Sequence, residues 1–186
     1  MSTYISMLRG INVGAQKSIR MAELTKLYEG LQLTAVKTYV QSGNVLFDSK
    51  EQDAAKLAAA IEAQIEQTFR FQVTVFIRRP ANFQSLIAAS PFLGDRHEDP
   101  AKLHVTFLYR PVPESELSQL VRPASETDEF VAGQNEIYLF CPNGYGRTKL
   151  SNTFFEKKLH VPATTRNWNT VLTLYKMASE RSFPIS

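Results

Sequence analysis

Val36-Lys37-Thr38-Tyr39-Val40-Gln41-Ser42-Gly43-Asn44-Val45-Leu46-Phe47 is the stretch whose reading settles the fold class. Val36, Thr38 and Val40 alternate with Lys37, Tyr39 and Gln41, which is the period of a half-buried strand. Ser42, Gly43 and Asn44 are turn residues, and residues 45–47 return as a second strand, so the segment is a β-hairpin. A hairpin cannot bury its apolar face alone, and its flanks supply the cover. On the N-terminal side, residues 4–9 form a short apolar run ending at Gly10, which predicts a strand. Residues 21–31 follow with Leu24, Leu27, Tyr28 and Leu31 at helical spacing. On the C-terminal side, residues 53–69 carry Leu57, Ile61, Ile65 and Phe69 at i+4 spacing, the clearest helix in the chain. Val73, Val75 and Ile77 then alternate as a further strand.

The order over residues 1–78 is β-α-β-β-α-β, the split βαβ or ferredoxin-like arrangement, with both helices on one face of an antiparallel sheet. A helix at 81–90 and an exposed loop marked by Pro91, Gly94 and Pro100 come next. A second round then begins: a strand at 103–109, a short helix at 114–121, a hairpin of 126–132 and 136–141 around Gly133-Gln134-Asn135, and a helix at 152–159. A terminal helix at 168–179 replaces or follows the final strand. The expected class is therefore α+β, with two tandem ferredoxin-like units and a C-terminal helix. The expected boundaries are 1–79 for the first unit, 80–102 for the helical connector and loop, and 103–186 for the second unit with its helix.

At 186 residues, 44% hydrophobic and 21% charged, the chain has the composition of a globular protein and not of a disordered one. No long apolar stretch suits a membrane span, and the first residues lack the pattern of a signal peptide. A single cysteine, Cys141, removes an internal disulfide and any thiolate metal cluster, so the cytoplasm is the expected compartment. The net charge of +3 is unevenly spread. Residues 1–50 hold six Lys/Arg against three Asp/Glu, residues 51–140 eight against thirteen, and residues 141–186 seven against two. Two basic ends around an acidic middle suit contact with an anion if the ends meet, or are simply an uneven solvated surface.

Three segments could carry chemistry. Arg9-Gly10-Ile11-Asn12-Val13-Gly14-Ala15-Gln16-Lys17-Ser18 joins a strand to a helix. Its glycines would admit a ligand to the backbone, the helix start offers N–H groups, and Arg9, Lys17 and Arg20 add charge. Its spacing is not that of a Walker loop, and Ser18 near a helix cap is the plainer reading. Pro142-Asn143-Gly144-Tyr145-Gly146-Arg147-Thr148-Lys149-Leu150-Ser151 repeats the recipe in the second unit, with Thr153 and Glu156 spaced as a capping box. Thr164-Thr165-Arg166-Asn167-Trp168-Asn169-Thr170 opens the last helix, with Asn167 or Asn169 as cap and Trp168, Leu172 and Tyr175 as a core stripe. The candidate anion-binding set is thus Arg9, Gly10, Asn12, Gly14, Lys17, Gly146, Arg147, Lys149, Arg166 and Asn167. The free face of the first sheet would show Lys37, Tyr39, Gln41, Thr74, Phe76 and Arg78, a mixture suited to base stacking or to packing. His97, His104 and His160 lie in separate elements without ligand spacing, so neither a metal nor another cofactor is expected. Cys141 reads as an inert core thiol.

The segments Leu8-Arg9-Gly10-Ile11-Asn12-Val13-Gly14, Lys37 to Val45, Thr165 to Val171, and Gly146-Arg147-Thr148-Lys149-Leu150 together resemble the bacterial family catalogued as domain of unknown function 1697. The resemblance extends over nearly the whole chain. It implies a compact α+β fold with related halves and brings no activity, cofactor or catalytic residue. Ala15 stands where a third loop glycine is expected, and Thr148 where serine is common.

Three functions follow as expectations. The first is a non-enzymatic binder of an anionic ligand, a nucleotide or nucleic acid. The second is a small enzyme acting on a phosphorylated metabolite, with Asn12, Ser42, Asn44 and Asn167 orienting the reacting group, though no base or nucleophile stands out. The third is a regulatory or interaction module. The sequence decides neither catalysis nor oligomeric state.

Overall fold

The computed structural model describes residues 1–14, 16–94, 96–124 and 127–182. Ala15, at the third-glycine position, and Glu126, at the start of an expected strand, lie outside the described residues. The chain divides into two compact units, Met1–Gln84 with Thr173–Ser186, and Ser85–Leu172.

The first unit contains β1 (Ser2–Leu8), α1 (Met21–Gly30), β2 (Thr34–Tyr39), β3 (Asn44–Ser49), α2 (Ala54–Phe69) and β4 (Val75–Arg78). Its antiparallel sheet has the order β2-β3-β1-β4. Helix α2 forms because Asp53 accepts from the Ala55 and Lys56 amides at 2.9 and 3.3 Å and because Leu57, Ile61 and Ile65 share one stripe. It ends at Arg70, in left-handed conformation at φ 64°. The stripe packs with Leu24, Leu27 and Tyr28 of α1 against Tyr4, Leu8, Val45, Phe47, Val75 and Ile77 of the sheet. Fully burying each such side chain contributes about 1.5–3 kcal/mol. The edge strand β2 is irregular: its register shifts between Thr34 and Lys37, and Ala35 stands at φ 49°. Such a break discourages pairing along the edge.

The opposite face of this sheet is closed. Ile5, Met7, Leu46 and Phe76 are all buried, so Phe76 presents no ring to a base. Lys37 is exposed at the edge, and Tyr39 and Arg78 are half-buried.

The second unit follows the same plan with β5 (Leu103–Leu108), α4 (Glu114–Leu117), β6 (Glu129–Ala132), β7 (Glu136–Phe140), α5 (Asn152–Leu159) and β8 (Ala163–Asn167), in the order β6-β7-β5-β8. Leu108 pairs with Ala163 as Leu8 pairs with Val75. A carboxylate of the preceding helix receives the first amide of the last strand in both units, Glu62 from Val75 at 2.8 Å and Glu156 from Ala163 at 2.9 Å. Arg78 and Arg166 also hold the same place, opposite Ile5 and Val105.

Several expectations need correcting. Residues 163–167 are a strand, so Arg166 belongs to β8 and not to a helix start. β-Branched Thr164 and Thr165 pair with β5, and the helical signal of Asn167-Trp168 begins only where they end. Helix α6 (Trp168–Ser182) buries Trp168, Val171, Leu174 and Ala178, while Leu172 is exposed and Tyr175 only half-buried. It divides between the units after Leu172 and does not lie wholly with the second. Its distal part is anchored in the first unit by Arg181, 3.8 Å from Asp48.

The loop beyond α3 (Pro80–Ala88) is not a free excursion either. Phe92 is buried and lies 6.0 Å from the Phe140 ring, and Arg96 sits over both rings while binding Glu98 at 2.7 Å and Glu129 at 2.9 Å. Helices α1 and α5 use other caps than expected: Arg20 precedes α1 without a side-chain capping bond, and Ser151 caps α5 by accepting the Phe154 amide. Glu156, freed from a capping box, binds Ala163 instead.

Gly43 stands at φ 74°, and a Cβ there would meet Leu8 Cβ at 2.9 Å and Ile11 Cδ1 at 2.7 Å. Gly14 has a similar φ of 68° but open space around it. Urea unfolding should show Gly14→Ala costing about 1–2 kcal/mol from conformation alone. Gly43→Ala should cost about 1–3 kcal/mol more, because the neighbouring side chains must shift.

Candidate functional site

The loop after β1 is shaped by Asn12. This residue has φ 55°, donates from Nδ2 to the Ile19 and Gln41 carbonyls at 2.9 and 2.7 Å, and accepts the Ile19 amide on Oδ1 at 2.8 Å. Its own amide binds the Lys17 carbonyl at 3.1 Å, and Val13 bridges Gln16. The loop is therefore a small turn-back latched onto the β2–β3 hairpin, and helix α1 starts only afterwards. Gly10 and Gly14 provide its left-handed corners at φ 68°. Asn12 spends its amide on this latch, and Asn44 spends its own on Tyr39 O and Ser42 Oγ. These asparagines hold backbone.

Two of the expected cations converge. Arg9 and Lys17 line one groove of about 560 Å³ with Ala59, Glu62, Ala63, Glu66, Gln72, Val73 and Thr74. Arg9 is positioned by its amide bond to Thr74 O at 3.0 Å, directly beyond the end of β1. Lys17, held at φ 52°, places Nζ 2.9 Å from Gln72 O. The other wall is one stripe of α2: Ala59 and Ala63 leave room, and Glu62 and Glu66 line it with carboxylates. Gln72 Nε2 donates to Glu66 Oε1 at 3.0 Å. Burial raises the Glu62 carboxyl above its ordinary range, and the Val75 N–H offsets this in part. Glu62 and Glu66 escaped sequence reading because charges on an amphipathic helix look like solvated surface. The i, i+3, i+4, i+7 spacing of residues 59, 62, 63 and 66 was the available signal.

The second-unit candidates are distributed differently. Gly144, at φ 88°, leads a single 3₁₀ turn, Tyr145–Arg147, and Gly146, Arg147 and Lys149 lie on the surface. Thr148 Oγ1 receives the Leu150 amide at 3.0 Å, which is local turn chemistry. Arg166 is buried, and donates from Nη1 to Thr164 Oγ1 and Thr165 O, each at 2.9 Å. Burial pushes its guanidinium down to about 10, against the opposing influence of Tyr145. Asn167 accepts the Thr170 amide at 2.8 Å and caps α6, as an ordinary cap residue does.

A polar cluster on the helix-facing side of this sheet was not foreseen. Thr106 and Thr165 share a hydrogen bond of 2.8 Å, Thr165 binds Asn152 Oδ1 at 2.6 Å, and Tyr145 contacts Thr165. The His104 ring stacks on Tyr145 at 4.8 Å, and its buried Nδ1 finds no hydrogen bond of good geometry among the described residues. Burial lowers the His104 pKa, which the Lys102 backbone only partly opposes. Only inward alternation of His104 and Thr106 along β5 signals this cluster in the sequence.

The His104 environment carries a pH signature. The unfolded chain protonates this imidazole near its ordinary value of about 6.5, and the folded protein does so at lower pH. Its contribution to stability is complete above the unfolded value and lost as pH falls through the folded one. Wild type should therefore lose stability relative to His104→Phe in thermal melts taken from about pH 7 down to about pH 5. A constant difference across that range would contradict the assignment.

The architecture is that of an α+β protein built on two four-stranded antiparallel sheets with a C-terminal helix, carrying a small charged groove in its first unit. The chain belongs to the family described as Protein of unknown function (DUF1697), whose model matches residues 1–138. That stretch contains the groove, whereas the Gly146–Lys149 loop and Arg166 fall beyond it. No curated protein matches the chain. Among solved structures, a conserved bacterial protein from Streptococcus pneumoniae is 23% identical, with a TM-score of 0.72 over 95% of this chain and 98% of its own. At that identity the likeness establishes a shared fold.

Proposed function

We propose that the protein is a non-enzymatic binder of a small anionic ligand, held in the first-unit groove by Arg9 and Lys17. The observation that supports this is the arrival of these two cations, from opposite ends of the latched loop, on one concavity of about 560 Å³. That volume suits a molecule of nucleotide size. A nucleic-acid strand suits it less, because Glu62 and Glu66 on the facing wall would repel a continuous phosphate backbone. Arg147, Lys149 and Arg166 remain candidates for a separate anion contact in the second unit. The order β2-β3-β1-β4, repeated as β6-β7-β5-β8, supports reading each unit as ferredoxin-like. A cytoplasmic setting suits the single, buried Cys141.

Calorimetry with AMP, inorganic phosphate and a single-stranded oligonucleotide tests the reading. AMP should bind, and the Arg9→Ala, Lys17→Ala double variant should bind it at least about 100-fold more weakly, at about 1.5–3 kcal/mol per charge-assisted hydrogen bond lost. Equal affinity in the double variant, or no binding of any of the three probes, removes the proposal. Tight oligonucleotide binding with a steep salt dependence would restore the nucleic-acid reading.

A further inference from the structure

Val13 and Val40 lie 74% and 50% exposed at the tips of two different loops. The bond from Asn12 Nδ2 to Gln41 O, 2.7 Å long, brings those tips together, because Val13 follows Asn12 and Val40 precedes Gln41. Both tips are fixed. The loop after β1 is closed by Asn12 on Ile19, and the hairpin turn is held by Leu8 N on Gly43 O at 2.9 Å and by Asn44 Nδ2 on Tyr39 O at 3.2 Å. Val40 also carries backbone strain. It stands at φ 51°, a left-handed conformation that a β-branched residue rarely adopts. Asparagine or glycine would make this turn with less strain, so the turn itself gives no reason for valine there. A strained backbone that holds an exposed apolar side chain in one place is what a preorganised contact surface requires.

Charge identifies the occupant. Residues 10–22 and 35–47 contain Lys17, Arg20 and Lys37 and no aspartate or glutamate. All three cations are exposed. Lys17 donates to Gln72 O and belongs to the groove. Arg20 directly follows Ile19, which Asn12 holds, and Lys37 lies on β2 just before the turn that carries Val40. A second copy presenting the same tips would set cation against cation. A nucleic-acid strand would gain phosphate contacts but no stacking from valine. We propose that the joined tips of the β1–α1 loop and the β2–β3 turn are a docking knob for an acidic segment of a partner protein. Apolar side chains of that segment cover Val13 and Val40, and its carboxylates meet Arg20 and Lys37. The knob is a separate surface from the groove, and failure of AMP to bind the groove leaves it intact.

Panning the full chain against a displayed library of random dodecamer peptides tests this. The enriched peptides should combine aspartate or glutamate with bulky apolar residues. Synthesised and measured by fluorescence anisotropy, they should bind the Val13→Ser, Val40→Asn double variant about tenfold or more weakly, and Lys37→Glu likewise. Lys56→Glu, at the start of α2, should bind them as the wild type does. Val40→Asn alone should raise the urea midpoint while weakening binding, a combination that a merely structural valine would not give. No enrichment, enrichment of peptides without carboxylates, equal binding by wild type and the double variant, or an equal loss in Lys56→Glu would each overturn the inference. A single-stranded oligonucleotide that binds the wild type and is lost in the double variant would overturn it too, because the knob would then serve nucleic acid.

Discussion

Tyr4 to Leu8 is buried at every position, so each backbone amide and carbonyl of this strand must find a partner on one side or the other. That requirement puts β1 in the middle of its sheet, with β3 and β4 on its two flanks. It also explains why the last strand needs help at its first residue. Val75 begins β4 beside α2, and the Glu62 carboxylate takes up its amide. The second unit meets the same demand in the same way, with Leu103, Val105, Phe107 and Leu108 in the central strand and Glu156 serving Ala163. The parallel between the two units here is one of hydrogen-bond requirements, met by a helix carboxylate in each.

The glycine and asparagine motifs are mainly about joining the loop to this frame. Asn12 connects the loop after β1 to Gln41 at the hairpin turn, and Gly43 lets that turn pass beside Leu8 and Ile11 without a Cβ. Two of the segments by which the family is recognised thus meet in one latch. Their polar side chains are consumed in holding backbone, which leaves ligand contact to the neighbouring charges. Arg9 and Lys17 are positioned by the segment that leads into β4, one by its amide on Thr74 and the other by its ammonium on Gln72.

Electrostatics in the two units take different forms. In the first, Arg9 and Lys17 line one open groove together with Glu62 and Glu66. In the second, Arg166 is enclosed beside threonines, and His104 sits in a packed polar network with Tyr145. The network satisfies most of its own groups, which marks it as a feature of the interior. The groove in the first unit leaves room for something to enter.

Local pattern alone determined the hairpin at Lys37–Val45, the helix from Asp53 to Phe69, the strand at Leu103 and the α+β order of elements, because apolar period and turn chemistry act over a few residues. Arg9 and Lys17 were legible as cations beside a flexible turn for the same reason. Tertiary structure alone decided that residues 163–167 complete a sheet, since five residues between two helical signals become a strand only when β5 offers them a ladder. It also decided that Phe76 is covered, that Asn12 is a latch, and that Glu62 and Glu66 face the two cations. Those outcomes depend on which surfaces meet across long stretches of chain, and a one-dimensional period carries no record of the partner on the other side.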